Sequence, residues 1–231
     1  MTSIHIFVLF LRQIFKLMIK KLFALGLFSI SVFSFAQKVS ISPSVGYAWR
    51  LAKTPDNIPR DQKEYIKGIK SGLNFDVALR YEVKRGLLIG FKYSNYSAST
   101  SGRLSVADNM GNIVSANVST KDQINFYGPE LTLTNDAHET KHKLFMDVAL
   151  GAMTYTTKTG TVKGKGTTFG AELDFAYQYE VSRNFLIGPK IGLSGGTLSK
   201  MSFNGQSVEF GEDQKEGLTR LSLSAAATFR F

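Results

Sequence analysis

Over most of its length the chain places an apolar residue at every second position, in runs longer than an ordinary strand. A period of two belongs to an extended strand whose two faces meet different surroundings, and not to a helix with its period of 3.6. In the first run Val39, Ile41, Pro43, Val45, Tyr47 and Trp49 share one face, with Ser40, Ser42, Ser44, Gly46 and Ala48 on the other. The second sets Leu73, Phe75, Val77, Leu79 and Tyr81 against Asn74, Asp76, Ala78 and Arg80, and the third sets Leu87, Ile89, Phe91 and Tyr93 against Gly90, Lys92 and Ser94. The pattern continues through residues 121–134 and 143–156. It is clearest at 169–181, where Phe169, Leu173, Phe175, Tyr177 and Tyr179 oppose Gly170, Glu172, Asp174, Gln178 and Glu180, and it ends with 185–194 and 218–231. Eight strands result. Runs of this length match a tilted crossing of a bilayer, which takes about 9–11 residues, better than the usual soluble strand of about five or six.

The connections alternate in length too: short at 83–85, 135–142 and 182–184, long at 51–70, about 98–120, 157–167 and 195–217. Long loops on one side only are the mark of an up-and-down barrel with both termini beside the short turns. The expected fold is therefore all-β: an eight-stranded antiparallel up-and-down transmembrane β-barrel, with periplasmic turns and four long outer loops. A soluble lipocalin-like barrel also alternates, but its apolar face points inward. Here the polar face is small and sparsely charged, as a narrow lumen requires, while the apolar face carries Trp49, Tyr47, Tyr81, Tyr93, Tyr177 and Tyr179 near strand ends, as an interfacial girdle would.

The N-terminus fits export. Residues 18–36 carry Lys20 and Lys21, an apolar run, and Ser34-Phe35-Ala36 with small residues where a signal peptidase reads. The run of ~15 residues is short of the ~20 that span a bilayer. We read residues 1–36 as a helical signal peptide, with either Met1 or Met18 as the start, and residues 37–231 as the barrel domain. Removing Arg12, Lys16, Lys20 and Lys21 with the leader lowers the formal net charge from +10 to +6. The chain has no cysteine, which removes disulfide scaffolds, thiolate metal sites, Cys nucleophiles and a lipidated anchor.

The last strand reads Leu221, Leu223, Ala225, Ala227, Phe229 and Phe231 on one face and ends on an aromatic residue. In this the chain resembles the small outer-membrane β-barrel proteins of Gram-negative bacteria, including the PorT-like barrels, over residues 37–231. The resemblance implies outer-membrane localisation and a terminal signal, Phe229 and Phe231, read by the barrel-assembly machinery. By analogy with PorT-like barrels it also implies support of envelope secretion or surface motility machinery.

Residues 72–92 and 170–190 match at 11 of 21 positions, among them Asp76/Asp174, Tyr81/Tyr179, Glu82/Glu180, Arg85/Arg183, Gly90/Gly188 and Lys92/Lys190. Two equivalent hairpins on opposite sides of the barrel point to duplication of a four-strand half. With three-residue turns, Asp76 would face Lys92 and Asp174 would face Lys190 within their own hairpins. Arg80, Glu130, Asp147, Glu172 and Arg230 also fall on polar faces, so the lumen is expected to hold charges of both signs, as a polar path or as a salt-bridged plug. Eight strands leave an interior that side chains just fill, which favours the plug. Pro43, Pro129 and Pro189 lie within strands and lead us to expect bulges. A phase change in the fourth strand, Ile124 and Phe126 on one parity and Tyr127, Leu131 and Leu133 on the other, points to the same near Gly128-Pro129.

Catalytic signals are few. The only histidines after the leader, His138 and His142, fall in a periplasmic turn, which suits neither a barrel hydrolase nor a metal pair. Residues 160–167 lack the spacing of a phosphate loop and read as a flexible basic outer loop whose Lys158, Lys163 and Lys165 are placed to meet lipopolysaccharide phosphates. The acidic stretch 209–216 lacks the alternating oxygens of a calcium loop. No basic stripe interleaved with exposed aromatics suggests nucleic acid. The expectation is a non-enzymatic barrel with no metal or cofactor. Its partners would be outer-membrane lipid and lipopolysaccharide, the assembly machinery, and an unidentified envelope or extracellular partner. The alternative is a narrow channel for small or apolar solutes.

Overall fold

The computed structural model describes residues 38–51, 60–107, 113–136, 138–211 and 215–231. The leader at 1–36, the choice of start at Met18, and the centre of the acidic stretch 209–216 lie outside them. Eight long strands form the wall: β1 (Val39–Arg50), β2 (Ser71–Lys84), β3 (Leu87–Ala107), β4 (Ile113–Thr134), β5 (His142–Thr159), β6 (Val162–Ser182), β7 (Phe185–Leu198) and β11 (Arg220–Arg230). Each pairs antiparallel with the next, and β11 returns to β1 through Ser40↔Arg230 and Arg50↔Arg220, closing the ring. Closure matters because a barrel leaves no unpaired edge in the hydrocarbon layer. The exposed face carries Val45, Leu73, Phe91, Phe175 and Leu223, and the inward face carries Ser42, Asp76, Lys92 and Asp174. An inside-out burial of this kind is stable only with lipid around it.

The long connections are more ordered than their sequence suggested. Residues 98–107 and 113–120 continue the β3–β4 ladder without a shift from Leu87↔Leu133 to Ala107↔Ile113, because their Ser, Thr, Val and Ile suit an extended ladder and no proline interrupts it. Residues 160–167, expected as a flexible loop, are strand from Val162 onward after a turn at Gly160, whose φ of 56° accounts for the glycine. The 195–217 connection holds a small hairpin, β8 (Lys200–Phe203) and β9 (Gln206–Glu209), and a short strand, β10 (Glu216–Gly217), paired to β7. The 51–70 connection ends in helix α1 (Arg60–Ile69), whose Tyr65 hydroxyl donates to Thr120 Oγ1.

None of the three prolines makes a bulge. Pro43, Pro129 and Pro189 pair normally with Val77, Phe91 and Ala225 on one side. On the other side the ladder skips them and resumes in the same register. A missing N–H costs one ladder bond and leaves the strand in phase. The apparent phase change in β4 has another cause: Ile124 and Phe126 are buried inward-facing residues, because the upper lumen is apolar. Register shifts fall instead at Glu82/Lys84 and at Glu180/Ser182, equivalent positions of the repeat, next to two-residue turns.

Strand backbones crowd where β4 meets β5. A Cβ on Gly151 would lie 2.2 Å from the Tyr127 carbonyl oxygen, and one on Gly128 would lie 2.2 Å from that of Leu150. Gly151→Ala is expected to destabilise the barrel by about 1–3 kcal/mol, seen as a lower urea midpoint for the compact, heat-modifiable gel form. Gly217→Ala, where an added Cβ meets nothing within 4 Å, should leave that midpoint unchanged.

Candidate functional site

The inward side chains form layers. At the lower rim Lys143 pairs with Asp136 at 2.8 Å and approaches Glu180 at 3.7 Å, and Arg230 reaches the same two carboxylates at 2.8 and 3.5 Å. Arg230, expected inside, is about one-fifth exposed and belongs to this rim. Above it lies a small apolar cluster of Phe145, Ala176 and Leu186.

The next layer is ionic and crosses the bore. Arg80 Nε donates to Glu130 Oε1 at 2.6 Å, its Nη2 to Asp147 Oδ2 at 2.9 Å, and its Nη1 to Ser42 Oγ at 2.9 Å. Lys92 pairs with Asp174 and, at 2.9 Å, with Glu172, which also accepts from Arg220 at 2.6 Å and from Ser94 at 2.6 Å. Lys190 pairs with Asp76 and lies 3.4 Å from Asp174. All these charged side chains are buried. Asp76, Arg80, Lys92, Glu130, Asp147, Glu172, Asp174 and Lys190 thus form two adjoining groups, Arg80 with Glu130 and Asp147, and the two lysines with Asp76, Glu172 and Asp174, but the pairing differs from the expected one. The turns have two residues and a bulge rather than three residues, so Asp76 stands opposite Ser94, Lys92 opposite Ala78 and Lys190 opposite Ala176. Each lysine therefore reaches the other hairpin: Lys92 takes Asp174 and Lys190 takes Asp76.

Carboxylate oxygens of Glu130, Asp147 and Asp174 lie within 4.8 Å of one another. Arg80 bonds two of these groups and the lysines bond the third, so side chains already supply the cations there. Two cavities in this layer measure about 10 Å³ each, room for roughly one water apiece.

Above the charges sits an apolar layer of Tyr96, Ile124, Phe126, Met153 and Leu198, completed by Met201 from the 195–217 connection and by Leu218 just beyond it. Over it Arg50 pairs with Asp122 at 3.2 Å and with Glu216, and Tyr155 donates to Asp122 at 2.8 Å. Arg50, Asp122, Lys143 and Arg220 were missed in the sequence, although their inward parity was a usable signal. They stand near the ends of the strands expected from the sequence, where the boundaries were least secure.

Outside, Tyr47 and Trp49 meet edge to face at 5.4 Å near one end of β1. His142, which opens β5, is exposed beside Tyr177, its Nδ1 2.6 Å from the phenol oxygen. Phe229 contacts Phe185 at 5.1 Å between centroids, and the Phe231 N–H donates to the Val39 carbonyl where the barrel closes. A hollow of about 820 Å³ lies against the outer wall, lined by Leu79, Ile89, Phe91, Leu131, Val148 and Leu150.

No family model matches the chain, and no curated protein is similar to it in sequence. Solved structures are similar in fold. Neisserial surface protein A superposes with a TM-score of 0.54 at 12% identity, covering 84% of this chain and 97% of its own. A major outer membrane protein from Thermus thermophilus does so with a TM-score of 0.52 at 9% identity, covering 84% of this chain and 98% of its own. The chain has the outer-membrane β-barrel fold. With its apolar outer belt, that fold places it in the outer membrane.

Removing one partner of a buried ion pair strands the others. Arg80→Ala should destabilise the barrel by about 3–5 kcal/mol, measured by urea unfolding in lipid vesicles. Adding Glu130→Gln and Asp147→Asn to that variant should recover much of the loss, since amides tolerate burial without the cation.

Proposed function

We propose that the protein is a closed, non-enzymatic barrel that anchors an outward-facing surface in the outer membrane and works by contact with an envelope or extracellular partner. The observation that carries this reading is the ionic layer: Arg80, Lys92, Lys190 and Arg220 reach across the bore to carboxylates on other strands, leaving cavities of about 10 Å³. The apolar layer above, with Met201 and Leu218 folded in, supports it. The protruding β3–β4 hairpin, with Ser99, Ser101, Asn117 and Ser119 near its base, is the part best placed to meet a partner. Phe229 and Phe231 serve the assembly machinery in this reading. A role like that of the PorT-like barrels rests on the same terminal strand and on analogy.

One observation favours the second reading, a narrow channel. Asn74 Oδ1, Glu130 Oε2, Ser194 Oγ, Ser224 Oγ and Arg220 Nη1 are buried without a protein partner, and water would satisfy them. Conductance of residues 37–231, refolded and inserted into a planar bilayer, separates the two readings. The closed barrel gives no discrete steps although its heat-modifiable migration shows it folded. Stable unitary currents that change in Lys92→Gln or Lys190→Gln would establish the channel instead.

A further inference from the structure

Three lysines on the outer wall stand in a single cross-strand row: Lys121 on β4 is paired with Lys158 on β5, and Lys158 with Lys163 on β6. All are exposed, and the next row down adds Lys165, between Thr156 and Ser202. Directly opposed residues in a sheet hold their Cβ atoms about 4.5–5.5 Å apart, and like charges so placed repel. No acidic side chain among the described residues pairs with any of the four; the nearby Lys200 has Glu209, at 3.4 Å. The backbone beneath them is firmly held. Lys163 donates its N–H to Asn204 Oδ1 and accepts from the Asn204 N–H, each within 3.0 Å. The row is thus a rigid, unneutralised concentration of positive charge.

Its height on the barrel identifies what neutralises it. Passing up the same three strands, the row Tyr127–Ala152–Phe169 is the last to carry aromatic side chains. Asn125–Thr154–Thr167 follows, then Gln123–Thr156–Lys165, then the lysine row. Lys165 lies four residues beyond Phe169, about 13 Å along the strand and about 10 Å in height at the usual barrel tilt. That height above the aromatic row is headgroup level, where a lysine keeps its stem along the wall and turns its ammonium to the surrounding polar groups. Apolar, then hydrogen-bonding, then cationic is the order that complements a phosphorylated glycolipid, whose acyl chains, sugar hydroxyls and anionic phosphates follow one another upward.

We propose that Lys121, Lys158, Lys163 and Lys165 form a binding site for the phosphorylated headgroup of an outer-leaflet glycolipid whose acyl chains lie against β4–β6. The site depends on the barrel's place in the membrane and not on whether the bore is closed. Its selectivity comes from two requirements met together, phosphates at the lysine row and acyl chains on the wall below.

The test uses residues 37–231 folded in nanodiscs, with native mass spectrometry and a fluorescent-lipid competition assay. The probes are diphosphoryl lipid A, the same lipid stripped of phosphate, and inorganic pyrophosphate. Diphosphoryl lipid A should bind at least about tenfold more tightly than the dephosphorylated lipid, a ratio consistent with a few lysine–anion contacts at a membrane surface. Lys121→Gln/Lys158→Gln/Lys163→Gln should remove that preference, and Lys84→Gln, at the opposite end of the wall, should retain it. Heat-modifiable migration of each variant reports folding. Equal binding of the two lipids, or an undiminished preference in the triple variant, overturns the proposal. Competition by pyrophosphate as strong as that of the lipid overturns it as well, since the site would then read phosphate alone.

Discussion

Charge burial inside a ring of eight strands is the constraint on which the rest of the structure depends. Asp76, Glu130, Asp147, Glu172 and Asp174 are held in the bore by Arg80, Lys92, Lys190 and Arg220. A charge removed from water must find a partner, and the partner must arrive with good geometry. Small neighbours make this possible. Ser42, Ser44, Ser94 and Thr132 accept or donate further hydrogen bonds, at 2.6–2.9 Å, and Gly90 and Gly192 leave space for long side chains. The small polar face that alternates through the sequence is therefore what a narrow lumen crossed by long charged side chains requires.

The outer wall obeys a different solvent. Its exposed Leu, Val, Ile and Phe would be a fault in water but are the normal surface in lipid. The two solvents explain why each strand alternates so strictly, and why Pro43, Pro129 and Pro189 are tolerated: each interrupts the ladder on one side over two pairs and keeps its phase. A shift of one residue would turn every charge in that strand toward the hydrocarbon.

Much of this was legible in the sequence, because a period of two survives any turn geometry. Strand number, face assignment and the inward placement of Asp76, Arg80 and Lys92 all follow from parity. Partners do not follow from it. Whether Lys92 meets Asp76 or Asp174 depends on a two-residue difference in turn and bulge at Glu82/Lys84, and the local residue types Val83-Lys84-Arg85-Gly86 permit either. The pairing of residues 98–107 with 113–120 was hidden for another reason. Serine- and threonine-rich segments suit loops and ladders alike, and only the pairing of β3 with β4 selects the ladder. Ile124 and Phe126 broke the apparent phase because an apolar residue facing an apolar lumen layer looks the same in sequence as one facing lipid.

The exchange of partners between the repeated hairpins has a further meaning. Lys92 of one hairpin binds Asp174 of the other, and the equivalent Lys190 binds Asp76. Residue i meeting j while j′ meets i′ is the signature of an isologous contact, the kind that joins two copies of one chain about a two-fold axis. The barrel interior is in this sense a homodimer interface enclosed within a single polypeptide. Each four-strand half presents a lysine and a carboxylate at its centre, complementary to those of its twin, so the charges that fill the bore also specify how the two halves come together.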